Sequence, residues 1–188
     1  MDSGSNLSEE NPNRLPKALY AFLEEKLKLS PIPFDSLHND SDWTFVIKLH
    51  TYIEASLNHL IVSHFKDDRL YQIISRLEVS DQTKGKLAFV KDLDLLPEEY
   101  RSFIKQLSEI RNGLVHKAEN LDYSLKKYVA KLDKQQRKNL WNALASTFSY
   151  IGKWEPDILD NIIKNMPRLA LHIGVSCIML EISRKTNS

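Results

Sequence analysis

The residues that could do chemistry lie in one segment, residues 108–117, which contains Arg111, Asn112 and His116. Arginine is a permanent, planar cation with five N–H donors that suit phosphate oxygens. Histidine titrates near neutral pH and can transfer a proton. An arginine and a histidine placed close together therefore indicate phosphate binding or phosphoryl transfer.

The spacing of these residues constrains how they could act together. A regular helix turns about 100° per residue, so the step from Arg111 to His116 turns roughly 140° and places them on different faces. Gly113 lies between them, and glycine favours a distortion or an end of the helix at this point. Asn112 and His116 are four residues apart and can touch on an undistorted helix.

The helix that carries the motif begins at a strong start signal. Pro97 suits a first-turn position, and Glu98 and Glu99 complement the helix dipole. The stripe that follows has helical period and consists of Tyr100, Phe103, Ile104, Leu107, Ile110, Arg111 and Leu114. Because Arg111 falls on this apolar seam, it needs a partner, either a carboxylate such as Glu54 or an external phosphate.

A second long helix is predicted over residues 41–65, where its apolar stripe is interrupted by His50 and Glu54. These two side chains are four residues apart and can hydrogen-bond each other. One interpretation is a satisfied polar pair at the edge of the core. In the other, the pair faces Arg111 and His116, and the carboxylate orients one of them. A metal site from His50, Glu54 and His116 has no supporting cluster, so no metal is predicted.

The remaining pattern predicts further helices and no strands. Residues 1–13 have almost nothing to bury and are expected to be a disordered lead, while residues 14–188 form a single all-α domain. Helical period recurs at residues 15–27, 70–77, 87–93, 123–132, 135–151, 156–165 and 167–183. No alternating run bounded by hairpin turns is found, so the fold class is all-α. The last of these helices is apolar on most sides, which favours either burial in the domain or a subunit contact.

Six basic residues fall close together after the motif. They are Lys126, Lys127, Lys131, Lys134, Arg137 and Lys138. Such a cluster is either an ordinary solvated face or a basic patch that binds nucleic acid.

Composition limits the other function classes. Lys and Arg number 26 against 25 Asp and Glu, so nucleic-acid binding must come from a local patch. The single cysteine, the lack of a signal peptide and the lack of a membrane span favour a cytoplasmic protein. No phosphate-binding loop, dinucleotide-binding pattern, zinc pattern or nucleophile elbow is present, so no cofactor is predicted.

The segment Arg111-Asn112-Gly113-Leu114-Val115-His116 resembles the motif of the HEPN superfamily, in which an arginine, a polar residue and three further residues precede a histidine. The preceding segment, from residue 86 to residue 110, is similar in sequence to the mannitol operon repressor branch of that superfamily. With the helix at 41–65, the resemblance covers residues 41–117. It implies a HEPN-like up-and-down helical bundle with additional N- and C-terminal helices.

The resemblance implies two functions. Members similar to the mannitol operon repressor are regulatory or interaction modules, which bind a protein partner. Other members are metal-independent ribonucleases, often toxins or defence effectors, in which paired motifs from two subunits line a cleft. A toxin would have an antitoxin as its protein partner. In that case His116 would move a proton, Arg111 would stabilise the phosphorane, and Asn112 would orient the histidine, with Glu54 as the supporting carboxylate. A homodimer is expected in either case, and RNA is the expected ligand of a ribonuclease. In the structural alternative, Arg111, Asn112 and Glu54 form a buried network that fixes helix packing.

Overall fold

The computed structural model describes residue 37 and residues 40–115, 123–148 and 155–186 of the chain. Eight α-helices and one short 3-10 helix, Asp68–Leu70, occur in these residues, and no strand occurs among them. The α-helices are α1 Asp42–Phe65, α2 Tyr71–Ile74, α3 Lys86–Asp92, α4 Glu98–Val115, α5 Leu125–Lys131, α6 Lys134–Phe148, α7 Pro156–Asn165 and α8 Pro167–Thr186. The predicted all-α fold is confirmed, whereas the expected lead at 1–13 and helix at 15–27 lie outside the described residues.

Helix α1 begins and ends as its sequence predicts. The Ser41 side chain accepts a hydrogen bond from the backbone N–H of Thr44 at 3.2 Å, which satisfies one of the free donors of the first turn. The helix ends at Lys66, whose backbone is left-handed with φ of 53°. Between these ends the apolar stripe is buried, and Leu49 and Ile53 have no exposed surface.

Four long helices, α1, α4, α6 and α8, form a bundle around one apolar core. Each packs against the next in that order, and α8 closes the ring by packing against α1. Since neighbours in this ring follow one another in the chain, the shorter helices serve as connections between them. The core includes Leu49, Ile53 and Leu57 of α1, Phe103, Ile104 and Leu107 of α4, Leu140 and Leu144 of α6, and Ile173 and Ile178 of α8.

Helix α8 is buried inside this bundle. This is the first of the two alternatives predicted for it, burial in the domain rather than a subunit contact. Residues 169–178 are all buried, and the helix packs along α1 and α6. At Gly174 the backbone passes close to α4, since a Cβ atom there would lie 2.6 Å from the Phe103 ring. The apolar run is therefore covered within one chain. Self-association stays a prediction.

One ion pair ties three helices together at an end of the bundle. Arg168, at the start of α8, donates to the Asp42 carboxylate at 2.9 Å and to the backbone oxygens of Leu37 and Asp40 at 2.7 and 2.8 Å. The other oxygen of Asp42 accepts from the backbone N–H of Leu125, at the start of α5, at 2.7 Å. The starts of α1, α5 and α8 are thus held at one level of the bundle.

In the described part of the chain, no single helix is long and apolar enough to cross a membrane, whereas α7 and α8, bent by 113° at their junction, meet that test only as a pair.

Candidate functional site

The motif residues lie in the last turns of α4. This helix continues through Gly113 to Val115, so the expected distortion or end at Gly113 is wrong. A Cβ atom at Gly113 would meet nothing within 4 Å, which shows that no close approach requires a glycine here. His116 lies outside the described residues, so its predicted contact with Asn112 and its catalytic role stay predictions.

The side chain of Arg111 is half-buried and is held by its neighbour. Its Nη1 donates to Oδ1 of Asn112 at 3.0 Å. Among the described residues no carboxylate lies within 4.0 Å of its guanidinium. Within the described part of the chain, the positive charge of Arg111 and several of its N–H donors therefore have no carboxylate partner.

Glu54 does not provide the partner that the sequence predicted for Arg111. Its Oε1 accepts from Nζ of Lys86 at 2.6 Å. The Lys86 side chain has no exposed surface and also donates to the backbone oxygens of Leu77 at 2.6 Å and Ser75 at 3.4 Å. The carboxylate goes to Lys86 because that ammonium is buried and needs a charged partner more than the half-buried Arg111 does.

The polar pair of His50 and Glu54 also differs from the prediction. Nε2 of His50 lies 3.1 Å from Oγ of Ser108, and both residues are buried. Since the Ser108 hydroxyl donates to the backbone oxygen of Ile104 at 2.9 Å, it accepts from His50, which places the imidazole proton on Nε2. His50 therefore bonds to Ser108 on α4 and not to Glu54, the partner expected one turn along α1.

The polar and charged side chains around His50 come from both α1 and α4 and form one cluster. Burial lowers the pKa of His50, Glu54 opposes this change, and Arg111 adds to it. His50 is therefore neutral near pH 7. These effects show that Glu54 and Arg111 lie close enough to His50 to act on its charge, although no hydrogen bond joins Arg111 to Glu54. We call His50, Glu54, Lys86, Ser108 and Arg111 the polar cluster.

Lys86 is the member of the polar cluster that the sequence interpretation missed. It stands at the first position of α3, four residues before Val90, which is fully buried. That spacing places Lys86 on the inward face of the helix, and this was the available signal. A lysine on an apolar face with no carboxylate within its own helix turn requires a partner from another element.

Searches with this chain against protein-family models, curated proteins and solved structures found no match. Nor does any group of three or more His, Cys, Asp or Glu side chains suited to a metal ion occur within the described residues.

The predicted basic cluster lies on α5 and the first turns of α6. Its lysines are exposed, and none of its six cations has a described carboxylate within 4.0 Å. Arg137 is half-buried and donates to the backbone oxygen of Leu132 at 3.4 Å. We call Lys126, Lys127, Lys131, Lys134, Arg137 and Lys138 the basic surface.

Helix α5 packs mainly against α7 and α8, and its first residues lie close to Ile110, next to Arg111 on α4. Burial raises the pKa of Tyr128 on α5, and the nearby Glu109 on α4 adds to the rise. Ile110 shares a small apolar space with Leu125 and Tyr128. The lysines of α5 therefore lie at the same level of the bundle as Arg111.

Proposed function

We propose that this protein is a HEPN-like regulatory module that binds single-stranded RNA through the phosphate backbone, with Arg111 and the basic surface as the contacts. The observation that carries the proposal is that no carboxylate among the described residues pairs with Arg111. If Arg111 served only to fix helix packing, a carboxylate would be expected beside it. Glu54, the carboxylate that the sequence offered, is paired with Lys86 instead, which favours an external anion as the partner of the guanidinium.

The basic surface supports the same ligand. Its five lysines are exposed, and no described carboxylate neutralises them. A chain with 26 basic and 25 acidic residues has little global field, so such a local excess is what RNA binding requires. Phosphate contacts of this kind give affinity with little sequence preference.

RNA binding is tested by fluorescence anisotropy with a labelled single-stranded oligonucleotide over a series of salt concentrations. Each phosphate contact contributes about 0.7 to the slope of log affinity against log salt. We expect Lys127→Ala with Lys131→Ala to reduce that slope by about 1.4. The matched control removes two lysines that are paired with aspartates, Lys48 and Lys164, and should leave the slope unchanged.

Arg111 is tested with two substitutions. Arg111→Ala should weaken RNA binding about tenfold, the loss of one strong charge-assisted contact. Arg111→Lys, which keeps the charge but not the planar fork, should retain part of the affinity. Wild-type protein that binds no RNA, together with an Arg111→Ala variant that unfolds, would overturn the proposal in favour of a packing role.

The ribonuclease alternative rests on the hydrogen bond between Arg111 and Asn112. This bond holds the side chains of two of the three motif residues next to each other. It is tested in the same samples by denaturing gels of RNA incubated in EDTA. Products with cyclic phosphate ends that disappear in His116→Ala would favour cleavage. Intact RNA that is nevertheless bound would favour the regulatory module.

A further inference from the structure

A polar groove lies between α3 and the first half of α4, away from Arg111. It encloses about 360 Å³ and is lined by Gln82, Leu87, Lys91, Glu98, Arg101, Ser102 and Lys105. Four of these residues, Glu98, Arg101, Ser102 and Lys105, follow one face of α4, and Lys91 faces them from α3. Arg101 and Arg111 are ten residues apart, about 15 Å along the helix, so the groove is a separate site.

The charges in the groove are unbalanced. Among the described lining residues, Lys91, Arg101 and Lys105 face a single acid, Glu98, which gives these residues a net charge of +2. No described carboxylate lies within 4.0 Å of any of the three cations. Cations that converge on a concave surface raise the local concentration of anions more than cations on a flat surface do.

Arg101 is oriented before any ligand arrives. Its Nη1 donates to the backbone oxygen of Leu96 at 2.6 Å, and its side chain is half-buried. One edge of the guanidinium is therefore fixed by the protein, and the remaining donors can bind two oxygens of one phosphate. The Ser102 hydroxyl and the Gln82 amide add neutral hydrogen-bonding groups to the lining.

We propose that this groove binds a small phosphorylated metabolite. Its volume falls in the range of small-molecule sites, about 300–1,000 Å³. None of its described lining residues is aromatic, so they offer no stacking platform for a nucleobase. The groove thus recognises the phosphate and the polar body of the ligand. The proposal does not depend on the RNA-binding function.

The proposal is tested by calorimetric titration of the full chain with inorganic phosphate, pyrophosphate and a hexose phosphate. We expect saturable binding at one site per chain, with a Kd below about 1 mM for the hexose phosphate and weaker binding of inorganic phosphate. Lys105→Ala and Lys91→Ala should each weaken binding about five- to tenfold. Glu98→Gln should strengthen it, because it removes the one acid among the described lining residues.

The matched control is Lys126→Ala, which removes the same charge from the basic surface and should leave the Kd unchanged. An equal loss in Lys126→Ala and Lys105→Ala would overturn the proposal, because binding would then follow net charge. Absence of saturable binding would also overturn it. If single-stranded RNA displaces the hexose phosphate and its affinity falls in Lys105→Ala, the groove is a nucleic-acid site and the metabolite assignment is wrong. Binding of all three probes with equal affinity would equally contradict recognition of the ligand body.

Discussion

Replacing Gly113 with alanine should stabilise the protein. Gly113 is exposed on α4, the helix continues past it, and a Cβ atom there would meet nothing within 4 Å. Glycine in an exposed helix interior costs about 0.5–1 kcal/mol relative to alanine, because its unfolded chain has more backbone freedom to lose. We therefore expect Gly113→Ala to raise the free energy of unfolding by about 0.5–1 kcal/mol.

Two other glycines provide controls of opposite sign. A Cβ atom at Gly85 would lie 2.4 Å from the backbone oxygen of Glu78 and 2.6 Å from that of Asp81. Both oxygens already accept backbone hydrogen bonds, so they cannot move freely. At Gly174 the obstacle is the buried Phe103 ring at 2.6 Å. Each alanine substitution should destabilise by about 1–3 kcal/mol, the usual cost of overpacking.

Equilibrium unfolding in urea, followed by far-UV circular dichroism, measures all three variants. The midpoint should rise for Gly113→Ala and fall for the other two, with unchanged slopes. A lower midpoint for Gly113→Ala would refute the reasoning, because it would mean that the backbone at this glycine is not helical. The same result would restore a distorted turn between Arg111 and His116.

Two further predictions concern buried ionisable groups. Burial lowers the pKa of His172 to about 3, so below pH 6.5 the unfolded chain binds a proton that the folded chain does not, and stability falls as pH falls. Between pH 7 and pH 5 this should lower the free energy of unfolding by about 2 kcal/mol. In urea unfolding, the stability of His172→Leu should therefore depend less on pH than that of the wild type. The control His59→Gln, at an exposed position, should show the wild-type dependence. Glu54→Ala leaves the buried Lys86 ammonium with backbone acceptors only. Because Glu54 is itself 36% exposed, we expect a loss of about 1–3 kcal/mol, below the full cost of breaking a buried pair. In urea unfolding, an equal loss in the exposed control Glu109→Ala would contradict this assignment.

Most of the fold could be predicted from sequence because its signals are local. Ser41 caps α1, and the apolar members of the stripe from Tyr100 to Leu114 are buried on α4. Both depend on residues within a few turns of each other, where helical period and capping chemistry apply. The prediction at Gly113 was wrong for a related reason. A glycine's cost of about 1 kcal/mol is small beside the packing of a long amphipathic helix.

The partners inside the polar cluster could not be predicted, because they join distant elements. Lys86 and Glu54 are 32 residues apart in sequence, and His50 and Ser108 are 58 apart. On α1 alone, Glu54 is the only evident partner for His50, four residues away. Burial of His50 against α4 gives it the Ser108 hydroxyl instead, and no periodicity within one helix encodes that choice.

The pairing of Lys86 with Glu54 takes up the carboxylate that the sequence offered as a partner for Arg111. In the polar cluster, His50 is neutral near pH 7 and Glu54 is paired with Lys86, so Arg111 has no ion-pair partner among the described residues. A fully buried ammonium takes the Glu54 carboxylate, and no described carboxylate pairs with the half-buried Arg111 at the end of α4. A charge kept in that position favours an anionic ligand, and the neighbouring lysines of α5 favour one with several phosphates.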